Sequence, residues 1–582
     1  MMRAPSTLSN GTALRKYWRP WAAVLVLLIT LGTNTAKGQD LAQIGKTKPV
    51  RMNGSLSLLG GPYFYSGDGS PRNQPFWWSA NGALTLSIYG VQAPFSFTLS
   101  SQQRSYTQPF NRYGLSPYYK WARFHVGYRS MRFNPYTLSG LQFFGAGVEL
   151  EPKGFRFAAF YGRFKKPVAQ DTLASITPTT AYRRTGFGVK IGAGNPRNFV
   201  DLMFFRAADD TTSIPDIGKS SNVAPKENVA LGLSSRITIS KRVTWMLDLG
   251  TTVLNEDIRR PALTDVELPT FVTGIFNPRA GAKALFAGNT SVGYNGRYFS
   301  LRAQYKQVDP DYRSLGAFYQ QSDLRAITLD PSVRLMKSKL RLSGSIGRQQ
   351  DNLYKRKSYT SIRSIGSANI SYNPSASYGI DLNFSNYGIT QEAGLRAVVD
   401  TFRVAQVNRA YSVSQHFSRT NKVRTLAVSL AVGLQQLQDL NPYGTFSSSE
   451  NDVLYGNFYL SHTRLRGNLS MSGGLNFSRN NTSFGENILI GPTLGISKQF
   501  AEDKVVTSLS ATWNKALQNG ESSGTTINGT GSIQYRYSPM HRFQLSVNVL
   551  QNSTSFAANT QFTEVRFLGG YVFVFQPKAE KI

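Results

Sequence analysis

The sequence predicts an all-β chain, a transmembrane antiparallel up-and-down β-barrel of about 26 strands with both ends on one side. Three observations predict it. The last strand, Thr563-Glu-Val-Arg-Phe-Leu-Gly-Gly-Tyr-Val-Phe-Val-Phe575, sets Val565, Phe567, Gly569, Tyr571, Phe573 and Phe575 on one face, and Glu564, Arg566, Leu568, Gly570, Val572 and Val574 on the other. The same two-residue period recurs along the whole chain, so a single soluble sandwich does not explain it. Short turns also alternate with longer loops, as in barrels that return both ends to one side.

Composition bounds the alternatives. A soluble chain of 582 residues would split into several domains, yet no linker or change of texture appears. Cysteine is absent, which excludes disulfides, thiolate metal sites and cysteine nucleophiles. Charged residues make up 17% and no 20-residue apolar run exists, so a helical span is not expected. Low mean hydropathy fits a barrel, since only every second residue meets lipid.

The elements follow in order. Arg3, Arg15, Lys16 and Arg19 precede the apolar run Trp21–Leu31, and small residues lead to Gly38. This is the pattern of a secretory signal peptide over 1–38, cleaved after Gly38, with a periplasmic lead over 39–50. The mature chain then holds 60 basic against 32 acidic residues, a net charge of +28.

The barrel is expected over 51–575 and a periplasmic tail over 576–582. Predicted strands lie near 51–65, 76–89, 94–106, 115–121, 122–130, 141–151, 154–163, 180–193, 197–208, 228–240, 241–256, 281–295 and 297–308. They continue near 324–336, 338–350, 358–373, 376–389, 399–416, 421–438, 452–465, 466–480, 485–499, 502–516, 524–537, 540–553 and 560–575. The stretch 115–130 also reads as one strand, so counts of 22 to 24 fit as well. Leu426, Val428, Leu430, Val432 and Leu434 alternating with Thr425, Ala427, Ser429, Ala431 and Gly433 typify the pattern. The sheet must close, because an unpaired backbone group in hydrocarbon costs several kcal/mol.

Gly570, Phe573 and Phe575 resemble the C-terminal assembly signal of outer-membrane barrels, a glycine followed by aromatics three and five residues on. That resemblance implies barrel-assembly machinery as a partner, with outer-membrane lipid around the barrel. Leu568 stands where a polar residue is usual in that signal, and seven residues follow Phe575. The runs Ser116-Pro-Tyr-Tyr-Lys-Trp121, Phe124-His-Val-Gly-Tyr-Arg-Ser130, Phe133-Asn-Pro-Tyr-Thr-Leu-Ser-Gly140 and Phe144-Gly-Ala-Gly-Val-Glu-Leu150 resemble large, poorly characterised outer-membrane barrels of Bacteroidota. This second resemblance implies architecture and an outer-membrane location, with no substrate.

About a dozen residues separate Gln39 from the first strand, too few for the folded plug of a TonB-dependent receptor. A bare barrel of this size is a wide hole, so loops or a partner should fill it. The apolar stretch 257–280, with Leu263, Val266, Leu268, Phe271, Val272 and Ile275, is one candidate; a loop over the mouth or a hairpin of its own is the other reading.

Basic residues flank the short turns: Lys241, Arg242, Lys337, Lys339, Arg341, Arg464, Arg466 and Arg542 among them, against Glu151, Glu502 and Asp503. They read as rim contacts to lipid headgroups, or as a vestibule for anions or an acidic periplasmic or lipoprotein partner. Nucleic acid is not expected at this location. Pro62 in the first strand, with Gly569 and Gly570 in the last, would weaken the closing seam; accommodation of sheet curvature or a bulge is the more ordinary reading of them. A seam opening sideways would resemble the lipid-exporting large barrels.

No enzyme, cofactor or metal site is expected. His125, His416, His462 and His541 lack metal-ligand spacing. His416-Phe417-Ser418 is similar to the His-x-Ser of outer-membrane phospholipases, but Arg419-Thr420 follows in place of Asn-Gly, and it lies beside a short turn. The expected function is a transport or translocation conduit plugged by loops or a partner. A non-transporting envelope or secretion scaffold is the alternative, and a phospholipase-like enzyme the minor one.

Overall fold

The computed structural model describes residues 50–101, 111–169, 180–214, 223–263, 275–317, 321–357, 359–393, 405–439, 450–553 and 561–575. The predicted signal peptide, most of the periplasmic lead and the tail over 576–582 lie outside these residues. Among the described residues, successive strands pair antiparallel from Val50–Gly67 to Gln561–Phe575, and these two strands pair with each other. The sheet is a closed barrel of 26 staves.

The doubtful stretch 115–130 forms two staves. Arg112–Leu115 and Tyr118–Tyr119 lie end to end, interrupted at Ser116-Pro117, and Ala122–Ser130 is the next. Tyr118 pairs with Arg123 and Tyr119 with Ala122, so Lys120 and Trp121 turn the chain. Pro117 lacks the N–H that would continue the ladder. The four expected short turns at 151–154, 294–297, 336–339 and 537–540 fall at or between strand ends. Several boundaries shift by a few residues: the staves Leu469–Thr482 and Val505–Gln518 start three residues later than expected, because residues 465–468 and 501–504 form turns, and Ala405–Thr420 and Glu521–Arg536 are displaced from 399–416 and 524–537.

Exposure separates the two faces. Leu202, Leu231, Ile327, Ile346, Leu430, Met471, Leu494, Leu509 and Leu545 project from the outer surface. Their strand neighbours Met203, Ala230, Ala326, Gly347, Ser429 and Ser508 face inward, by the pleat. At the end bearing the termini the outer face carries Tyr535, Phe543, Tyr571, Phe573 and Phe575 as part of an aromatic girdle. A closed sheet with an apolar belt and an aromatic edge leaves no unpaired ladder in hydrocarbon. The molecule is a transmembrane barrel.

Among the described residues, its interior is filled on one side. Tyr63 and Ala516 apart, every buried hydrophobic residue among the described residues falls between Met131 and Leu324. The inner face of this sector is itself apolar, with Phe160 and Phe164 on Phe155–Lys165, and Met203, Phe205 and Ala207 on Phe199–Asp210. Two inter-strand loops fold onto it. Met131–Leu141 brings Met131, Phe133 and Leu138 into the cluster, and the loop after Val308 brings Tyr312 and Leu315. Leu138–Ser139 pairs in parallel with Gly316–Ala317, joining the two loops inside the wall.

Of the stretch 257–280, the described ends form the hairpin that is one of its two expected readings. Ala262 bridges Arg279 and the Leu263 N–H donates to the Pro278 carbonyl, so its base is a hairpin stem. Leu263 and Ile275 are exposed, while Phe276 is buried. Val266, Leu268, Phe271 and Val272 lie outside the described residues.

Candidate functional site in the lumen

Why the two loops sit inward can be read from the wall beneath them. A side chain at Gly250 would strike the Tyr136 Cβ at 2.4 Å, and one at Gly188 would strike the Phe133 ring at 2.9 Å. These inward glycines leave the space the loops occupy. Phe143 stacks on Phe160 at 4.7 Å between centroids, and Phe160 meets Phe133 edge-on at 5.8 Å. Asn134, almost fully buried, organises the first loop. Its Oδ1 accepts from the Tyr136 N–H (3.0 Å), the Thr137 N–H (2.9 Å) and the Thr137 hydroxyl (2.8 Å). Its Nδ2 donates to the Leu249 carbonyl of the wall at 2.9 Å.

The second loop is tied to the first by polar contacts as well. The Tyr312 hydroxyl donates to the Tyr136 carbonyl at 2.9 Å, and the Ser314 hydroxyl donates to the Thr137 carbonyl. Asn228, on the wall, accepts from the Leu315 N–H at 3.1 Å. Burial pushes the Tyr136 and Tyr312 hydroxyls well above the usual tyrosine range, so both stay protonated and Tyr312 keeps the proton it donates.

The inner wall of the opposite sector, as far as it is described, is polar. Ser343, Ser345, Ser367, Asn369, Asn383, Ser385 and Ser412 line a shallow groove on its inner wall. Asn383 donates to the Ser412 hydroxyl at 3.2 Å, and Ser345 donates to Asp330 at 2.7 Å. Ser429 is exposed although it faces inward, as expected where the wall meets water.

The pleat sorts the predicted basic rim into three groups. Arg341 and Arg542 face the lumen, opposite Arg334 and Arg536 respectively. Arg464 faces outward, opposite Arg424, near the aromatic girdle. Lys241, Arg242, Lys337, Lys339 and Arg466 occupy turns or strand ends. Among the described residues, none of the opposed pairs has a carboxylate within salt-bridge distance.

At the seam, the first and last strands pair from Gly54–Phe575 to Gly60–Gly569, and again from Tyr63–Arg566 to Gly67–Phe562. The ladder skips Gly61 and Pro62. Similar skips occur beside Pro331 and Pro492, away from the seam. Within the lumen Arg566 lies over the Trp77 ring at 4.5 Å, and Arg72 meets Glu564 at 3.2 Å, so side chains span the closure. Gly570 faces Gln544 and Leu59, where a Cβ would meet them at 2.5 and 2.7 Å. Phe573 and Phe575 contact edge-on at 4.5 Å on the outer face.

His416 and Ser418 share the lumenal face with no hydrogen bond between them among the described residues. The fold joins a histidine the sequence did not single out. The Ser116 hydroxyl lies 3.0 Å from His125 Nδ1, while His125 Nε2 lies 3.5 Å from Glu149. The order is that of a serine nucleophile, a base and an acid. However, the Ser116 N–H donates to the Pro94 carbonyl, and Pro117 has none. No adjacent amide is left to hold an oxyanion, and 3.5 Å is too long for a hydrogen bond. The trio is a polar brace across the kink at Ser116-Pro117. Among the described residues, no three His, Asp or Glu side chains converge as a metal site.

No family model and no curated protein matches the chain. Among solved structures it is similar to the copper transporter OprC, at 9% identity over 90% of this chain and 80% of that one, with a TM-score of 0.39. It is also similar to the ferric citrate transporter FecA in its unliganded form, at 8% identity, 90% and 80% coverage and a TM-score of 0.38. A third is the outer membrane protein opdK from Pseudomonas aeruginosa, at 12% identity, 60% and 94% coverage and a TM-score of 0.29. Likeness at this level carries no argument about cargo.

Proposed function

We propose that this protein is an outer-membrane conduit whose lumen is narrowed by its own inward loops, Met131–Leu141 and 309–317. The observation that carries the reading is the two-sided interior: an apolar sector covered by these loops faces a polar sector lined by serine and asparagine. A wall of hydroxyls and amides suits passage of hydrated solutes, since it replaces water contacts without holding a fixed charge. Secretion by the N-terminal signal, insertion by barrel-assembly machinery and a periplasmic or lipoprotein partner belong to the same reading, as does the Bacteroidota type.

Current across planar bilayers tests it. The native protein should pass a small current. Asn134→Ala combined with Tyr312→Ala should enlarge it, because the first change unpairs two buried N–H groups at about 1–3 kcal/mol each. If neither form passes ions, the conduit reading fails and the non-transporting scaffold takes its place.

A further inference from the structure

We infer that a groove on the inner wall, near the end bearing the termini, binds a small oxyanion of two or more negative charges. The inference deepens the conduit reading by naming a solute class, and rests on that reading for its biological meaning. Arg197, Arg236 and Arg302 line the groove with Thr238, Thr244, Asn295 and Ser300, and Asp330 is its one carboxylate.

That carboxylate is already engaged. Arg302 meets it at 2.9 Å and Ser345 donates to it at 2.7 Å. Arg236 has no such partner. Its guanidinium lies 3.5 Å from the Pro196 carbonyl oxygen and 3.6 Å from the Met246 sulfur, with no carboxylate in reach. Arg197, in the turn before Phe199, makes no ion pair among the described residues either. Two uncompensated cations therefore face one concave surface, together with neutral hydroxyl and amide donors.

The placement favours an anion over simple hydration. Arg236 and Arg302 each stand on a strand of the wall, so their backbone positions are set before a ligand arrives. Guanidinium groups present forked donors that match phosphate or carboxylate oxygens. The lumen-facing pair Arg334 and Arg341, on staves close by, adds positive potential, since neither makes a salt bridge among the described residues. A singly charged ion would leave one arginine uncompensated, which is why at least two charges are expected. Phosphate esters and polycarboxylates share this chemistry.

Calorimetric titration of the full chain in detergent with pyrophosphate and, separately, citrate tests the inference. Either anion should bind one per chain, more weakly as sodium chloride rises. Tighter pyrophosphate assigns phosphate esters, and tighter citrate assigns polycarboxylates. Arg236→Gln should weaken binding about tenfold or more, as loss of a charged hydrogen-bonding partner does. Arg348→Gln, on the outer face, should leave it unchanged. Heat-dependent gel mobility confirms that each variant is a folded barrel. Neither anion binding above a chloride control, or unchanged affinity in folded Arg236→Gln and Arg197→Gln, overturns the site. Binding without bilayer current would retain the site and remove the conduit; current without binding would do the reverse.

Discussion

Leu430 and Ser429 are neighbours that meet different solvents, and the contrast tests the facing of the whole wall. Leu430 is 41% exposed on the outer belt, paired with Phe458, while Ser429 opposes His416 inside. An arginine at Leu430 should cost about 2–4 kcal/mol if that position meets mid-bilayer hydrocarbon. The same residue at Ser429 meets water and should cost little. Equilibrium unfolding in lipid vesicles reads both, and equal penalties would reverse the assignment. This alternation was legible from sequence because each face keeps its character over a whole strand. The facing of Arg341, Arg464 and Arg542 was not legible, since a one-residue slip in register exchanges lumen for lipid. Arg466 shows the difficulty: a strand drawn from 466 includes it, whereas the chain is still turning there.

At the scale of elements, the interlocked loops are what sequence reading missed. Phe133-Asn-Pro-Tyr-Thr-Leu-Ser-Gly140 carries aromatics between two strands, but its partner Tyr312 lies 176 residues beyond Tyr136. No local period reports such a contact. A signal did exist in the wall: Phe155–Lys165 and Phe199–Asp210 are apolar on both faces, which a water-filled lumen would not require. The loop over 351–357 offers a pH test of a similar tether. Burial pushes the Asp323 carboxyl up, but hydrogen bonds from Lys357 and the Leu353 and Asn352 amides outweigh it and hold it below the usual range. A depressed carboxyl contributes stability that is complete above its unfolded value, about 3.9, and is lost as pH falls through its folded value. Amide exchange near Leu353, corrected for its intrinsic pH dependence, should therefore stay flat from pH 7 to about 4 and rise below that. Asp323→Asn should remove the step. A step near pH 6 would place the control on another group.

On the scale of the whole molecule, the seam decides whether traffic runs through the lumen or sideways into lipid. Pro62 and the glycines opposite interrupt its ladder, yet Pro331 and Pro492 interrupt others, and Arg566 over Trp77 ties the seam from within. The native chain has no cysteine, so an engineered pair reports cleanly. Ser57 and Val572 are direct partners across the seam. Antiparallel partners place Cα atoms about 4.5–5.5 Å apart, within the reach of a disulfide. Ser57→Cys with Val572→Cys should therefore oxidise to a bridge that closes the barrel covalently, visible as a link between terminal peptides after proteolysis. A path along the lumen predicts the same bilayer current with the bridge formed or reduced. Current lost on oxidation and restored by reductant would instead make the seam the gate, and a pair that never crosslinks would mean these two strands are not neighbours.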